Sequence, residues 1–264
     1  MTITAGFKVQ NGILLCADTM YTGGSKTYAT KIFKQELDGG NVAFALAGIE
    51  DCSVMLIQAC QKAIADSASF LASTEQVEEV TSKTLRRLFK EHDLQDDDAQ
   101  FLIAIWTERN GVKLLSTRRG IMVERDGYYC NGSGSYLANY LIEPAYRQDM
   151  SLPEVIVLAT QTLAAVKSYD DGCGGRSEMI VLQSDGSLSP VEHEEISTSE
   201  KNIGGYERYA RKLMFDFANP QLSEAEFRKK LDSFVETITI GREGWMEEQK
   251  DASAIRKLVK TLFP

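Results

Sequence analysis

Apolar and polar positions alternate from the first residues of the chain. Thr2-Ile3-Thr4-Ala5-Gly6-Phe7-Lys8-Val9 reads as a strand, Gln10-Asn11-Gly12 as a turn and Ile13-Leu14-Leu15-Cys16-Ala17 as a buried strand, which together predict a hairpin. Residues 30–37 and 42–46, on either side of Asp38-Gly39-Gly40, predict a second one. The period then changes. Val54, Ile57, Cys60 and Ile64 within 51–67, and Val77, Val80, Leu85 and Leu88 within 74–92, recur at helical spacing. Strands return at 100–107 and 112–117, turned by Arg109-Asn110-Gly111, with another pair near 120–124 and 127–131. Helical stretches follow at 135–148 and 152–168, and a last hairpin spans 178–183 and 187–193 around Ser184-Asp185-Gly186. Strand runs separated by helix pairs predict a layered sandwich: two sheets face to face, with helices over both outer faces.

Beyond residue 196 the character changes to amphipathic helix, over 205–218, 222–239 and 250–262. Ser223 with Glu226 has the spacing of a capping box. Leu213, Met214 and Phe217 form one apolar stripe, and Phe227, Leu231, Phe234 and Val235 another. Such stripes commonly pack onto their own subunit; a subunit interface is the alternative. With no internal repeat and no low-complexity linker, the expected organisation is one domain over 2–195 and a helical C-terminal extension over 196–264.

Composition narrows the function. Hydrophobic residues make up 43% of the 264 residues, enough for a sizeable core. The formal net charge of −9 makes the chain a poor general binder of nucleic acid. No stretch approaches the ~20 apolar residues of a membrane span, and the N-terminus lacks the basic and apolar regions of a secretory signal, so a cytoplasmic location without membrane attachment is expected. Five scattered cysteines without a CxxC pair, and only His92 and His193 beside them, argue against a zinc site or a disulfide framework. No metal or cofactor is expected. Gly132-Ser133-Gly134 lacks the third glycine of a dinucleotide fingerprint, since Leu137 stands there, and too few carboxylates follow Asp170-Asp171-Gly172 for a calcium loop.

An N-terminal threonine carries both halves of a nucleophilic pair. Its hydroxyl attacks a carbonyl carbon while its own α-amine takes the proton, directly or through water. A free α-amine titrates near pH ~8, and a neighbouring cation lowers that value further. The chemistry needs a processed N-terminal Thr, a cation, a carboxylate to orient both, and backbone N–H groups for the oxyanion. The small side chain of Thr2 favours removal of Met1.

Thr2-Ile3-Thr4-Ala5-Gly6, followed by Ile13-Leu14-Leu15-Cys16-Ala17-Asp18-Thr19, resembles the start of proteasome β subunits and their bacterial relatives. There, a threonine opens the first strand and an acidic residue ends the second sixteen residues later, which is the spacing of Asp18 from Thr2. The family's lysine before an apolar pair is matched by Lys31-Ile32-Phe33, about three residues closer to Thr2 than usual, as a shorter loop at 21–26 would produce. Lys34 keeps the usual spacing without the local context and is the fallback; on a strand it would face away from Lys31. Asn131-Gly132-Ser133-Gly134-Ser135 is similar to the family's Gly-Ser-Gly element. Tyr169-Asp170-Asp171-Gly172-Cys173-Gly174-Gly175 is similar to Asp-x-x-Ser-Gly-Gly, with Cys173 in place of the serine. A thiol is the weaker hydrogen bonder, so the network holding the threonine amine is expected to be loosened or retuned. A gapless match puts Ala45 at the oxyanion position, with Gly48 three residues further on.

The resemblance covers about residues 2–195. It implies an α+β fold, a four-layer αββα sandwich of the N-terminal nucleophile hydrolase type with a C-terminal helical extension. It also implies a threonine peptidase with Thr2, Asp18, Lys31, Ser133, Asp170 and Cys173 in the catalytic site and the Ala45 N–H as oxyanion donor. Expected partners are copies of the chain in a ring, peptide or unfolded-protein substrates, and an ATP-dependent unfoldase. Each residue also has a plain reading: Asp18 as a turn cap, Lys31 as a solvated strand residue, Cys173 as an inert thiol. Two other functions stand beside the peptidase: a non-catalytic scaffold of the same fold, and a narrow amidohydrolase or acyl transferase using the same threonine. Scaffold-type α subunits carry an N-terminal extension, so a start at Thr2 favours the β type.

Overall fold

The computed structural model describes residues 2–23, 25–67 and 73–262. The chain runs β1 (Thr4–Val9), β2 (Gly12–Asp18), β3 (Met20–Gly23), β4 (Ser25–Tyr28), β5 (Ile32–Leu37) and β6 (Gly40–Gly48). Helices α1 (Glu50–Ser67) and α2 (Thr74–Glu91) lead to β7 (Ala99–Thr107), β8 (Gly111–Arg118), β9 (Ile121–Glu124) and β10 (Tyr128–Asn131). Then come α3 (Ser135–Ile142), α4 (Leu152–Tyr169), β11 (Ser177–Gln183), β12 (Leu188–Pro190), α5 (His193–Phe217) and α6 (Glu224–Leu262).

Two antiparallel sheets form, ordered β10-β1-β2-β11-β12 and β5-β6-β7-β8-β9. Period-two side-chain alternation sorts their residues into layers. Ile13 and Leu15 of β2 meet Ala43 and Ala45 of β6 and Leu102 and Ala104 of β7 between the sheets. Ile3, just ahead of β1, and Ala5 and Phe7 of β1 turn the other way, onto Ala138 and Ile142 of α3 and Leu163 and Val166 of α4. Phe44 and Leu46 of β6 face Leu56, Ile57 and Ile64 of α1 and Leu85 of α2. The result is helix, sheet, sheet, helix, as the alternation and the resemblance implied. Small alanines in β6 let the two sheets approach closely.

Local differences from the expected elements have physical causes. β3 and β4 pair with each other, Tyr21 opposite Thr27, where only a loop was expected. All four β4 residues are exposed, so no hydrophobic period marks them. β9 and β10 do not pair with each other: β9 joins β8 and β10 joins β1, so the chain crosses between sheets over 125–127. α3 stops at Ile142 rather than near 148, because Pro144 follows. α5 starts at His193, where strand was expected, with Glu194 and Glu195 favouring its N-terminus.

The chain divides into two compact units, the first ending at Ser199 and the second beginning at Glu200, inside α5. The second unit is a pair of helices packed on each other. Tyr209 stacks edge-on against Phe234 with ring centroids 5.2 Å apart, and Lys230 meets Asp216 at 2.8 Å. Ser223 caps α6 as the sequence signalled: its N–H donates to Glu226 Oε2 at 3.0 Å, and the Glu226 N–H donates to Ser223 Oγ at 3.3 Å. The stretches 222–239 and 250–262 are one helix, since Gly241 and Gly244 cost helix stability without ending it. Among the described residues, no helix is long and apolar enough to cross a membrane.

Candidate active site

The register of the first hairpin builds the site. Thr4 pairs with Ala17, so the residues ahead of β1 run beside the end of β2, and the Asp18 N–H donates to Ile3 O at 3.2 Å. That register is the reason for the sixteen-residue spacing of Thr2 and Asp18. The Thr2 hydroxyl donates to Asp18 Oδ1 at 2.5 Å, and the same oxygen accepts the Ile3 N–H at 3.0 Å. Gly174 N–H donates to Asp18 Oδ2 at 2.8 Å, tying the carboxylate to the loop after α4.

Lys31 enters from just ahead of β5. Its backbone is clamped by the Leu46 N–H, which donates to Lys31 O at 3.0 Å, and by Glu178, whose Oε2 accepts the Lys31 N–H at 3.0 Å. Its Nζ donates to Thr2 Oγ1, to Asp18 Oδ1 at 2.6 Å and to Met20 O at 2.5 Å, and lies 4.5 Å from the Tyr21 ring centroid. Thr2, Asp18 and Lys31 are each 0% exposed. Burial pushes the Lys31 pKa below the ordinary lysine value, partly offset by Asp18. Lys34, by contrast, is exposed and pairs with Glu36 at 3.2 Å.

The other wall comes from two loops. Gly132 has φ +88°, and a Cβ there would stand 2.2 Å from Thr2 O, so only glycine fits. Gly134 N–H donates to the same carbonyl at 3.1 Å. The Thr2 N–H donates to Ser133 Oγ at 3.3 Å, and Ser133 in turn donates to Asp170 Oδ2 at 3.3 Å. Asp170 Oδ1 accepts the Gly172 N–H at 2.8 Å, and Asp170 O accepts the Cys173 N–H at 2.9 Å. Burial, with Asp18 and Asp170 nearby, pushes the Cys173 thiol up to about 12, so at neutral pH it is a neutral thiol rather than a nucleophile.

Thr2, Asp18, Lys31, Ser133, Asp170 and Cys173 are thus brought together, and Ala45 is not. Ala45 lies in the layer between the sheets, with Ile32 and Leu102 as strand partners. The ladder alternates: the Leu46 N–H points to Lys31, so the Ala45 N–H points to β7 and is spent there. Gly48 has the parity of Leu46, which turns its N–H away from β7, and it lines the same cleft as Thr2. The cleft, of about 570 Å³, is also lined by Tyr21, Gln100 and Ser133. Sequence reasoning passed over Tyr21 and Gln100, which carry no motif. Gln100 Oε1 accepts the Gly132 N–H at 3.2 Å.

A four-layer sandwich with a threonine at the head of its first strand is the proteasome-type N-terminal nucleophile hydrolase fold, the class to which this architecture assigns the chain. Solved structures bear this out. Anbu (ancestral beta-subunit) from Yersinia bercovieri superposes with a TM-score of 0.70 at 14% identity, covering 84% of this chain and 99% of that one. Anbu from Pseudomonas aeruginosa, solved as a helical assembly, gives 0.69 at 14%, with the same coverage. The family is settled by sequence: residues 2–182 match the family described as proteasome subunit, and the chain belongs to that family. Proteasome subunit beta 2 of Thermococcus gammatolerans is 26% identical over 189 residues, 70% of this chain and 92% of the relative. Its namesake in Nitrosopumilus maritimus is 24% identical over 192 residues, 70% of this chain and 87% of the relative.

Proposed function

We propose that this protein is a threonine peptidase in which Thr2, freed by removal of Met1, cleaves peptide bonds within an assembly of its own copies. The carrying observation is the convergence of the Lys31 ammonium and the Asp18 carboxylate on Thr2 Oγ1, with no exposed surface on any of the three. Burying a lysine and an aspartate is costly, and a scaffold without chemistry gains nothing from aiming them at a hydroxyl. Met1 lies outside the described residues, and its removal is part of the proposal.

In this reading Lys31 stabilises the developing alkoxide, and Asp18 holds the lysine charged and oriented. The Thr2 nitrogen, bonded to Ser133 Oγ, becomes the free α-amine and takes the hydroxyl proton as Oγ1 attacks the substrate carbonyl. The Gly48 N–H receives the oxyanion. The leaving amine takes the proton, and water then hydrolyses the ester, returning the threonine. Asp170 and Cys173 keep Ser133 in place. The helical assembly of the Pseudomonas Anbu supports self-association; a closed ring, peptide or unfolded-protein substrates and an ATP-dependent unfoldase are the family's pattern, carried here as part of the proposal.

The test begins with intact mass of the natively produced protein, which should lack Met1. Thr2→Ala should lower kcat/KM for small peptide amides by at least ~10³-fold with the fold unchanged. A peptide epoxyketone should modify Thr2 through both hydroxyl and amine. Full activity in Thr2→Ala, or labelling at Cys173 instead, would overturn the reading.

A further inference from the structure

The cleft beside Thr2 is walled by carboxylates. Glu50 and Asp51 reach it from the start of α1 and Asp97 from the approach to β7. Among the described residues, no Lys or Arg lines the cleft and none forms an ion pair with these three acids. Two of them are held in place by hydrogen bonds. Thr27 Oγ1 donates to Glu50 Oε2 at 2.9 Å, and Gln100 Nε2 donates to Asp97 Oδ1 at 3.4 Å. Gln100 also accepts the Gly132 N–H, so one side chain spans the acid wall and the turn under Thr2.

Tyr21 points to the same ligand independently. It is 3% exposed, it lines the cleft, and among the described residues its hydroxyl has no hydrogen-bond partner. A buried phenol left unpaired is expensive, and it stands cross-strand from Thr27, on the Glu50 side. Burial raises its pKa, and Glu50 is the first of the charges that raise it further. Its oxygen is therefore a neutral acceptor as well as a donor, in a field that favours cations.

We infer that this cleft receives a basic side chain, arginine or lysine, of the peptide that Thr2 cuts. The inference rests on the threonine-peptidase reading and names its substrate class. A guanidinium or ammonium would pair with the three carboxylates and supply N–H donors to the Tyr21 oxygen. Acidic residues in a first helical turn also suit the helix dipole, which accounts for Glu50 and Asp51. That account does not reach Asp97 or the unpaired Tyr21 hydroxyl.

The experiment uses peptide amides identical except for Arg, Lys, norleucine or Glu on the acyl side of the scissile bond. For the wild-type protein, kcat/KM should favour Arg and Lys over norleucine by about tenfold or more, with Glu slowest. The ratio should shrink with added salt and fall to about threefold or less when Glu50→Gln, Asp51→Asn and Asp97→Asn are combined. In parallel, fluorescein-labelled Arg and norleucine peptides are titrated into Thr2→Ala, and the Arg peptide should bind more tightly. Cleavage without a basic preference overturns the inference and leaves the threonine chemistry standing. Preferential binding of the Arg peptide with no cleavage of any peptide supports the inference and overturns the peptidase reading. No preference in either assay overturns the inference outright.

Discussion

Lys31 is fully buried, so its charge depends on Asp18, Met20 O and the threonine hydroxyl. Burial lowers its pKa from the ordinary 10.5, and the sign of the consequence follows. Between the lowered value and 10.5, the unfolded chain holds a proton that the folded chain has released, so stability rises with pH across that window. Activity moves the other way. A rate that needs charged Lys31 should fall as pH climbs through the lowered pKa, before 10.5, while the acid limb follows the α-amine. A pH–kcat profile whose alkaline limb lies above 10.5 would remove Lys31 from the mechanism. Lys31→Ala should lose nearly as much kcat/KM as Thr2→Ala, and leaving Asp18 buried without its partner should cost about 3–5 kcal/mol in denaturant unfolding. Lys34→Ala, which removes only an exposed pair with Glu36, should leave both unchanged.

At the scale of elements, three turns converge on one threonine. The β1–β2 register brings Asp18, the approach to β5 brings Lys31, and the strand-to-helix turn ahead of α3 supports the Thr2 backbone from below. Gly132→Ala tests that support. With φ +88° and a Cβ 2.2 Å from Thr2 O, the variant should lose about 1–3 kcal/mol in thermal unfolding and most of its kcat/KM. Wild-type kcat/KM in that variant would mean that the turn does not position Thr2. The hairpins and core helices were legible in the sequence because their buried faces carry strict periods of two or 3.6. The β3–β4 hairpin was not, because Ser25, Lys26, Thr27 and Tyr28 are all exposed and nothing selects their pattern. The displaced oxyanion assignment has a similar origin. A count from Lys31 along β5 and back along β6 stops at Ala45, and only the ladder shows that this residue's N–H faces β7 rather than Thr2.

For the molecule as a whole, an exposed peptide-cutting site would endanger unfolded chains around it, and enclosure within an assembly removes that hazard. The helical unit from Glu200 onward keeps large apolar side chains in solvent: Met214 and Phe215 are 74% exposed and Phe217 81%. Size-exclusion chromatography with light scattering should therefore return a species well above the 29.3 kDa of one chain. A clean monomer at working concentration would defeat self-assembly and favour a narrow amidohydrolase or acyl transferase.

The layers and the chemical parts are already legible in the order of residues along the chain. Hydrophobic periodicity is a local property that survives in one dimension, and a threonine, an aspartate and a lysine can be recognised by type and order. Tertiary structure decided which lysine is buried, that the Ala45 N–H turns toward β7, and that three acids from two segments meet the buried Tyr21 in one cleft. Those outcomes depend on strand parity and on contacts between residues far apart in the chain. Glu50 and Asp97 are 47 positions apart in sequence and share a wall only because β6 and β7 pair side by side.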